Sequence, residues 1–153
     1  DPANTVYLDT KDGRVIIQLR PDLAPKHVAQ IKELVKRGFY NGIVFHRVID
    51  GFMAQTGDPT GTGMGGSDLP NLPAEFTPQP FNRGTLGMAR SNDPNSANSQ
   101  FFICFGPAAF LNGKYTVFGE VVSGMEFVDK IKRGEPVKNP DKIIKMQMME
   151  DAK

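Results

Sequence analysis

Chain breakers set the tightest limit on what this sequence can fold into. Sixteen glycines and twelve prolines are spread along 153 residues. Together with Asn and Asp they cut the apolar stretches into pieces too short for long helices but right for strands. Thr5–Thr10 alternates, Lys11-Asp12-Gly13 marks a turn, and Arg14–Arg20 is rich in Val and Ile, which predicts a hairpin. Short strands are also expected over Ile43–Val48, Phe52–Thr56, Thr85–Ala89, Phe101–Phe105, Thr116–Val122 and Lys142–Met149. Only two segments read as helices. In Pro25–Arg37 the residues Val28, Ile31, Leu34 and Val35 fall at helical spacing, with Pro25 in the first turn and Gly38 past the end. In Met125–Arg133, Ser123 is the expected cap, Val128 and Ile131 face inward, and Gly134 stops the helix. The pattern predicts a closed or nearly closed antiparallel sheet with two helices. With no internal repeat and no linker, residues 1–153 read as a single domain. Two long irregular stretches, Asp58–Pro80 and Ser91–Ser99, are candidates for function.

Composition excludes several classes. A net charge of +1 lacks the basic excess of a dedicated nucleic-acid binder. No apolar run is long enough to span a bilayer, so no membrane partner is expected. Cys104 is alone, which rules out a disulfide within these residues, and its place in the apolar run Phe101–Phe105 reads as core rather than nucleophile. The chain opens on Asp1-Pro2 without an initiator Met or an apolar targeting segment. The expectation is a processed, periplasmic protein, with a cytoplasmic one as the alternative.

Most chemical motifs are missing or out of context. Gly61-Thr62-Gly63-Met64-Gly65-Gly66 fits the spacing of a dinucleotide loop, but no strand-to-helix transition surrounds it, so a glycine-rich loop packed against its neighbours is the better reading. His27 and His46 belong to no metal-ligand pattern, and His46 reads as structural. No nucleophile elbow is present. What remains is Phe45-His46-Arg47-Val48-Ile49-Asp50-Gly51-Phe52-Met53-Ala54-Gln55. On strands joined by an Asp50-Gly51 turn, Phe45 and Arg47 would share one face. Met53 and Gln55 would likewise share one, with Phe52 and Ala54 opposite. Such a pairing gathers Arg, Gln and large apolar groups at one surface, although many purely structural hairpins carry the same residues.

This segment resembles the signature of the cyclophilins, the peptidyl-prolyl cis-trans isomerases. Four more stretches fit that family in the same order: Gly38-Phe39-Tyr40-Asn41-Gly42, Gly84-Thr85-Leu86-Gly87-Met88-Ala89, Asn98-Ser99-Gln100-Phe101-Phe102-Ile103, and Phe110-Leu111-Asn112-Gly113-Lys114-Tyr115-Thr116-Val117-Phe118-Gly119. The match runs over nearly the whole chain and is similar above all to bacterial members. The resemblance implies a mainly β fold, a closed eight-stranded antiparallel barrel capped by two α-helices. It implies an enzyme without metal or cofactor, a monomer, acting on proline-containing peptides and unfolded proteins. By matching position, Arg47 and Gln55 are the implied catalytic residues. Phe52, Met53, Ala89, Gln100, Phe102, Phe110, Leu111 and Tyr115 are the implied substrate-binding residues. In these roles Arg47 stabilises the twisted bond and Phe52, Met53, Phe102 and Leu111 hold the proline ring, with Tyr115 at the pocket edge. Gln55 bonds the substrate carbonyl or positions Arg47, and Gln100 binds nearby backbone.

Three positions depart from the family pattern. Phe110 stands where cyclosporin-sensitive eukaryotic members have tryptophan, which implies weakened cyclosporin binding through a lost N–H donor. Tyr115 stands where many members have histidine. Arg90 stands where many have asparagine, so no side-chain role is carried over to it, nor to Ser91–Ser99, a stretch one residue longer than in many members. Two other readings compete with the enzyme. A proline-peptide binding module on the same fold would keep the apolar pocket without Arg47 or its neighbours. A small-ligand barrel would have an apolar interior cavity in place of an external groove.

Overall fold

The opening hairpin forms where alternation predicts it. In the computed structural model, which describes residues 1–152, β1 (Thr5–Thr10) and β2 (Gly13–Leu19) pair antiparallel, with Leu8 opposite Val15 and Val6 opposite Ile17. These four side chains and Leu19 are fully buried, as one-sided burial of a strand requires. Six further strands follow: β3 (Arg47–Ile49), β4 (Met53–Thr56), β5 (Thr85–Met88), β6 (Phe101–Cys104), β7 (Val117–Ser123) and β8 (Lys145–Met148). They order as β3-β4-β6-β5-β7-β2-β1-β8, every neighbouring pair antiparallel. Two register shifts, at Ile16/Ile17 against β7 and at Leu86/Gly87 against β7, increase the local twist and help curl the sheet.

The result is mainly β, a curled half-barrel with two helices. The expected full closure is not seen. β3 and β8 are the two edges of the sheet and share no ladder. Between them run an isolated antiparallel bridge, Val44 to Lys142, and single hydrogen bonds from residues 43–46, which were expected to extend β3. Their backbone bonds to the irregular segment that leads into β8: Phe45 N–H to Asp141 O at 2.8 Å, Ile143 N–H to Ile43 O at 2.8 Å, and Val137 N–H to His46 O at 3.0 Å. This change of partner also breaks the expected alternation. Phe45 is fully buried in the main core with Val48 and Ala54, while Arg47 faces outward.

α1 (Pro25–Lys36) matches the helical spacing and buries Val28, Ile31, Leu34 and Val35 against the concave face. Its Ala24 cap offers no side-chain acceptor, and the Glu75 carboxylate takes the N–H groups of Lys26 and His27 instead. α2 is one turn only, Met125–Val128, rather than the nine residues expected, and its cap is Gly124 at φ 87° rather than Ser123. The backbone beyond it is claimed by other partners. Lys132 N–H donates to Asp141 Oδ2, Gly134 N–H to Val48 O, and Arg133 Nη1 takes the carbonyls of Asp129 and Ile131.

β6 is apolar on both faces because it serves two clusters. Phe101 and Ile103 join the main core, while Phe102 and Cys104 join a second cluster with Met53, Phe81, Leu111 and Val117 on the convex side. Burial pushes the Cys104 thiol up to about 12, so it is a core group and not a nucleophile at neutral pH. The second cluster forms the floor of the site described next.

Candidate active site

The register of β3 on β4 sets Arg47 directly opposite Gln55, and Ile49 opposite Met53. Side chains two apart share a face, so Arg47, Gln55 and Met53 emerge together on the convex side. Gln55 in turn lies opposite Phe102 across β4 and β6. One polar line runs through these strands. Glu135 Oε2 accepts Arg47 Nε at 2.7 Å, Arg47 Nη1 donates to Gln55 Oε1 at 3.3 Å, and Gln55 Nε2 donates to Gln100 Oε1 at 2.9 Å. Gln100 Nε2 finishes the line on the carbonyls of Gly63 and Gly65, at 3.0 and 2.9 Å. The amide of Gln100 is therefore committed inside the protein, and each member holds the next in one orientation.

Beside this line lies a small basin of about 120 Å³, walled by Phe52, Met53, Phe102, Leu111 and Tyr115 with Arg47 and Gln55 on one side. It is an open hollow of small-ring size with aromatic and aliphatic side chains on its wall. Its floor is rigid. Met53 and Phe102 are nearly inaccessible, and the Phe102 ring stacks on Phe81 and meets Tyr115 edge-on at 5.9 Å. Gly87 lies directly behind it. A β-carbon there would come to 2.5 Å from Phe102 Cζ and 2.6 Å from Phe81, so only glycine lets both rings sit this close. The short turn Ala109–Leu111 sends Leu111 inward and Phe110 outward. Phe110 is 64% exposed and leans on Phe52 at 5.3 Å, so it forms the rim and not the lining.

A second, wider basin of about 560 Å³ adjoins the first and shares Gln55, Ala89 and Arg90 with it. Its walls come from the two long irregular stretches, which are zipped together by Leu72 N–H to Ala97 O at 2.7 Å and by Asn98, whose side chain takes Ser67 N–H and donates to Leu69 O. The glycine pattern at 61–66 belongs to this wall. It wraps the Asp58 carboxylate, which accepts N–H bonds from Thr60, Thr62, Gly63 and Gly65, and a β-carbon on Gly65 would collide with Asp58 Oδ1. It is a packed loop, as its context implied. Burial works to raise the Asp58 pKa, but the bonds from Thr60, Gly65 and Gly63 outweigh it and hold the carboxyl well below the usual range. His46 lies behind Gly63, where a β-carbon would meet its ring at 3.6 Å; it is buried, with no hydrogen-bond partner among the described residues for either ring nitrogen. Burial lowers its pKa, and it lines neither basin.

The residues singled out from sequence converge, although they come from four separated segments. Arg47, Phe52, Met53, Gln55, Ala89, Phe102, Leu111 and Tyr115 line the small basin. Gln100 lies behind them and Phe110 at the lip. Glu135 is the member that sequence reasoning missed. It is 88 residues from Arg47 in a stretch with no motif, and only the fold brings the two together.

Comparison with known proteins gives a consistent picture. The family model described as cyclophilin type peptidyl-prolyl cis-trans isomerase/CLD matches residues 5–150. A probable peptidyl-prolyl cis-trans isomerase of Brucella suis is 62% identical, over the whole of this chain and 86% of the relative. Among solved structures, the cyclophilin AquaCyp293 from Hirschia baltica superposes with a TM-score of 0.92 at 32% identity, covering all of this chain and 76% of its own. A cyclophilin-type isomerase from Cryptosporidium parvum, crystallised in the presence of the dipeptide Ala-Pro, gives a TM-score of 0.88 at 30% identity, covering 94% of this chain and 98% of its own.

Proposed function

Because the chain belongs to the cyclophilin-type family of peptidyl-prolyl cis-trans isomerases, we propose that its small basin seats a proline ring while Arg47 stabilises the twisted X–Pro bond. The observation that carries this reading is the Arg47 guanidinium, braced by Glu135 and Gln55 at the wall of an apolar, ring-sized basin. The X–Pro bond resists rotation because its nitrogen lone pair is conjugated with the carbonyl, a barrier of roughly 20 kcal/mol. Midway through rotation the conjugation is lost and the lone pair localises on a pyramidal nitrogen. A donor aimed there binds the twisted state better than either planar state, which is what acceleration requires. No covalent bond is made or broken, so the step calls for no nucleophile, metal or cofactor.

Gln55 spends its carbonyl on Arg47 and one amide hydrogen on Gln100. Its main role in this reading is to position Arg47, with the second amide hydrogen left for the substrate carbonyl. Phe52, Met53, Phe102 and Leu111 hold the ring, and Tyr115 and Ala89 bound it. Gln100 fixes Gln55 rather than the substrate. Magnitudes limit Arg47 to part of the effect. A ten-thousandfold acceleration needs roughly 5.5 kcal/mol. One charge-assisted hydrogen bond supplies about 1.5–3 kcal/mol, and the preset geometry of the line from Glu135 to Gly65 must contribute the rest. Phe110 offers an aromatic face at the rim but no N–H, which supports weak binding of a ligand such as cyclosporin that wants a donor there.

The ligand class is proline-containing peptides, in keeping with the Ala-Pro dipeptide used with the Cryptosporidium relative. Exchange spectroscopy on a short Ala-Pro peptide tests the reading. Accelerated cis/trans exchange at catalytic protein concentrations is expected. Binding without acceleration would instead identify a proline-peptide binding module.

A further inference from the structure

One arginine in the groove faces no carboxylate among the described residues. Of the seven arginines in the chain, Arg14, Arg20, Arg37, Arg47, Arg83 and Arg133 each pair with a carboxylate, at 2.6–3.3 Å. Arg90 pairs with none among the described residues. Its guanidinium is nonetheless fixed in place. Nε and Nη2 donate to Lys114 O at 3.2 and 2.7 Å, Nη1 donates to Ser91 O at 2.9 Å, and the group lies 4.4 Å over the Tyr115 ring. Carbonyls and a ring face orient the charge without cancelling it. A guanidinium has five N–H donors, so one on Nη1 and one on Nη2 remain.

Its position gives that charge a purpose. Arg90 belongs to the lining of both basins, at the divide between them. Among the described residues no Asp or Glu lines either basin, and the only other charged residue there, Arg47, is already paired with Glu135. The nearest acid along the chain, Asp93, turns its carboxylate to Asn95 N–H within its own loop. A half-buried, preoriented fork with free donors is the arrangement that recognises a carboxylate. We propose that Arg90 selects proline peptides carrying an Asp or Glu side chain on a residue beside the proline, held where the two basins meet. This rests on the isomerase reading above and adds a substrate preference to it.

The test compares peptides that differ only in one residue, Glu, Gln or Lys, placed one or two positions before or after the proline. Exchange spectroscopy gives kcat/KM for each. At low salt the wild-type protein is expected to rank them Glu, then Gln, then Lys at one of these positions, with about a three- to fivefold step from Gln to Glu, and to lose most of that step at high salt. Arg90→Gln should bring the Glu/Gln ratio near one, Arg90→Glu should invert it, and Arg90→Lys should restore part of it. A purely structural role for Arg90 would lower all three peptides together and leave the ratios as in wild type, which overturns the proposal. So would a wild-type ratio of one at every position. If wild type accelerates none of the peptides, it is the isomerase reading that fails. Normal turnover of the Gln peptide with no charge preference rejects the Arg90 proposal alone.

Discussion

Arg47 and Glu135 meet at 2.7 Å, Nε to Oε2, at the mouth of the groove. Both side chains are substantially exposed, at 40% and 57%, so the pair adds little to stability in its own right. Its effect is directional, since it removes one rotational choice from the guanidinium. Glu135→Gln is expected to lower kcat/KM for an Ala-Pro peptide about two- to fivefold while leaving the melting temperature within a degree or two. An unchanged kcat/KM would mean that Gln55 alone orients Arg47.

Arg47→Ala removes the donor itself. Turnover should fall at least tenfold, equivalent to about 1.4 kcal/mol of lost transition-state stabilisation. Folding should survive, because the side chain lies on the convex surface and not in the main core. Arg47→Lys should recover only part of the loss, since one ammonium cannot serve Glu135, Gln55 and the substrate with a fixed fork. Exchange rates and thermal melts on the same samples check both statements. Near-normal turnover of Arg47→Ala would reject its assigned role.

Gly87→Ala tests the floor of the ring basin. The new methyl would drive into Phe102 and Phe81, and the rings would have to shift toward the basin. The expected outcome is a rise in KM of at least several-fold together with a loss of about 1–3 kcal/mol in stability from overpacking. Binding of a proline dipeptide followed by titration, alongside denaturant unfolding, measures both. A stability loss with KM unchanged would mean that the floor relaxes away from the substrate.

The caged carboxylate of Asp58 predicts an acid limb in the stability profile. Its folded pKa lies below its unfolded value, near 3.9, so its contribution is fully present above that value and is lost as pH falls through the folded one. Unfolding free energy should therefore decline from about pH 5 downward. Asp58→Asn should be less stable at pH 7 and show a flatter decline over that range. Chemical denaturation between pH 2 and pH 7 follows it. Parallel profiles for the two proteins would show that the glycine loop does not depend on the charge.

The sheet was largely legible in the sequence, because alternation and breakers are local signals. β1, β2 and α1 lie within a residue or two of their expected limits. What escaped was governed by contacts between distant segments. Residues 43–46 have strand composition, yet their backbone pairs with 137–143, and no local rule reports that. α2 has the spacing for nine residues but loses its later turns to Asp141, Val48 and Arg133. At the site, the resemblance supplied Arg47, Gln55 and the apolar wall. Glu135 stayed hidden because a lone glutamate in a loop carries no pattern, and the internal commitment of Gln100 needed the carbonyl directions of Gly63 and Gly65.

The polar line through Arg47 is completed only late along the chain. Its first member is residue 135, and the strand that flanks β1 is the last to be made, at Lys145–Met148. A ribosome delivers Arg47, Gln55 and Gln100 well before either. A nascent chain that has exposed only its first hundred residues therefore owns every implied catalytic side chain but not the tether that aims the guanidinium. The brace on the guanidinium is thus one of the last parts of the groove to be made, close to the moment the sheet acquires its final strand.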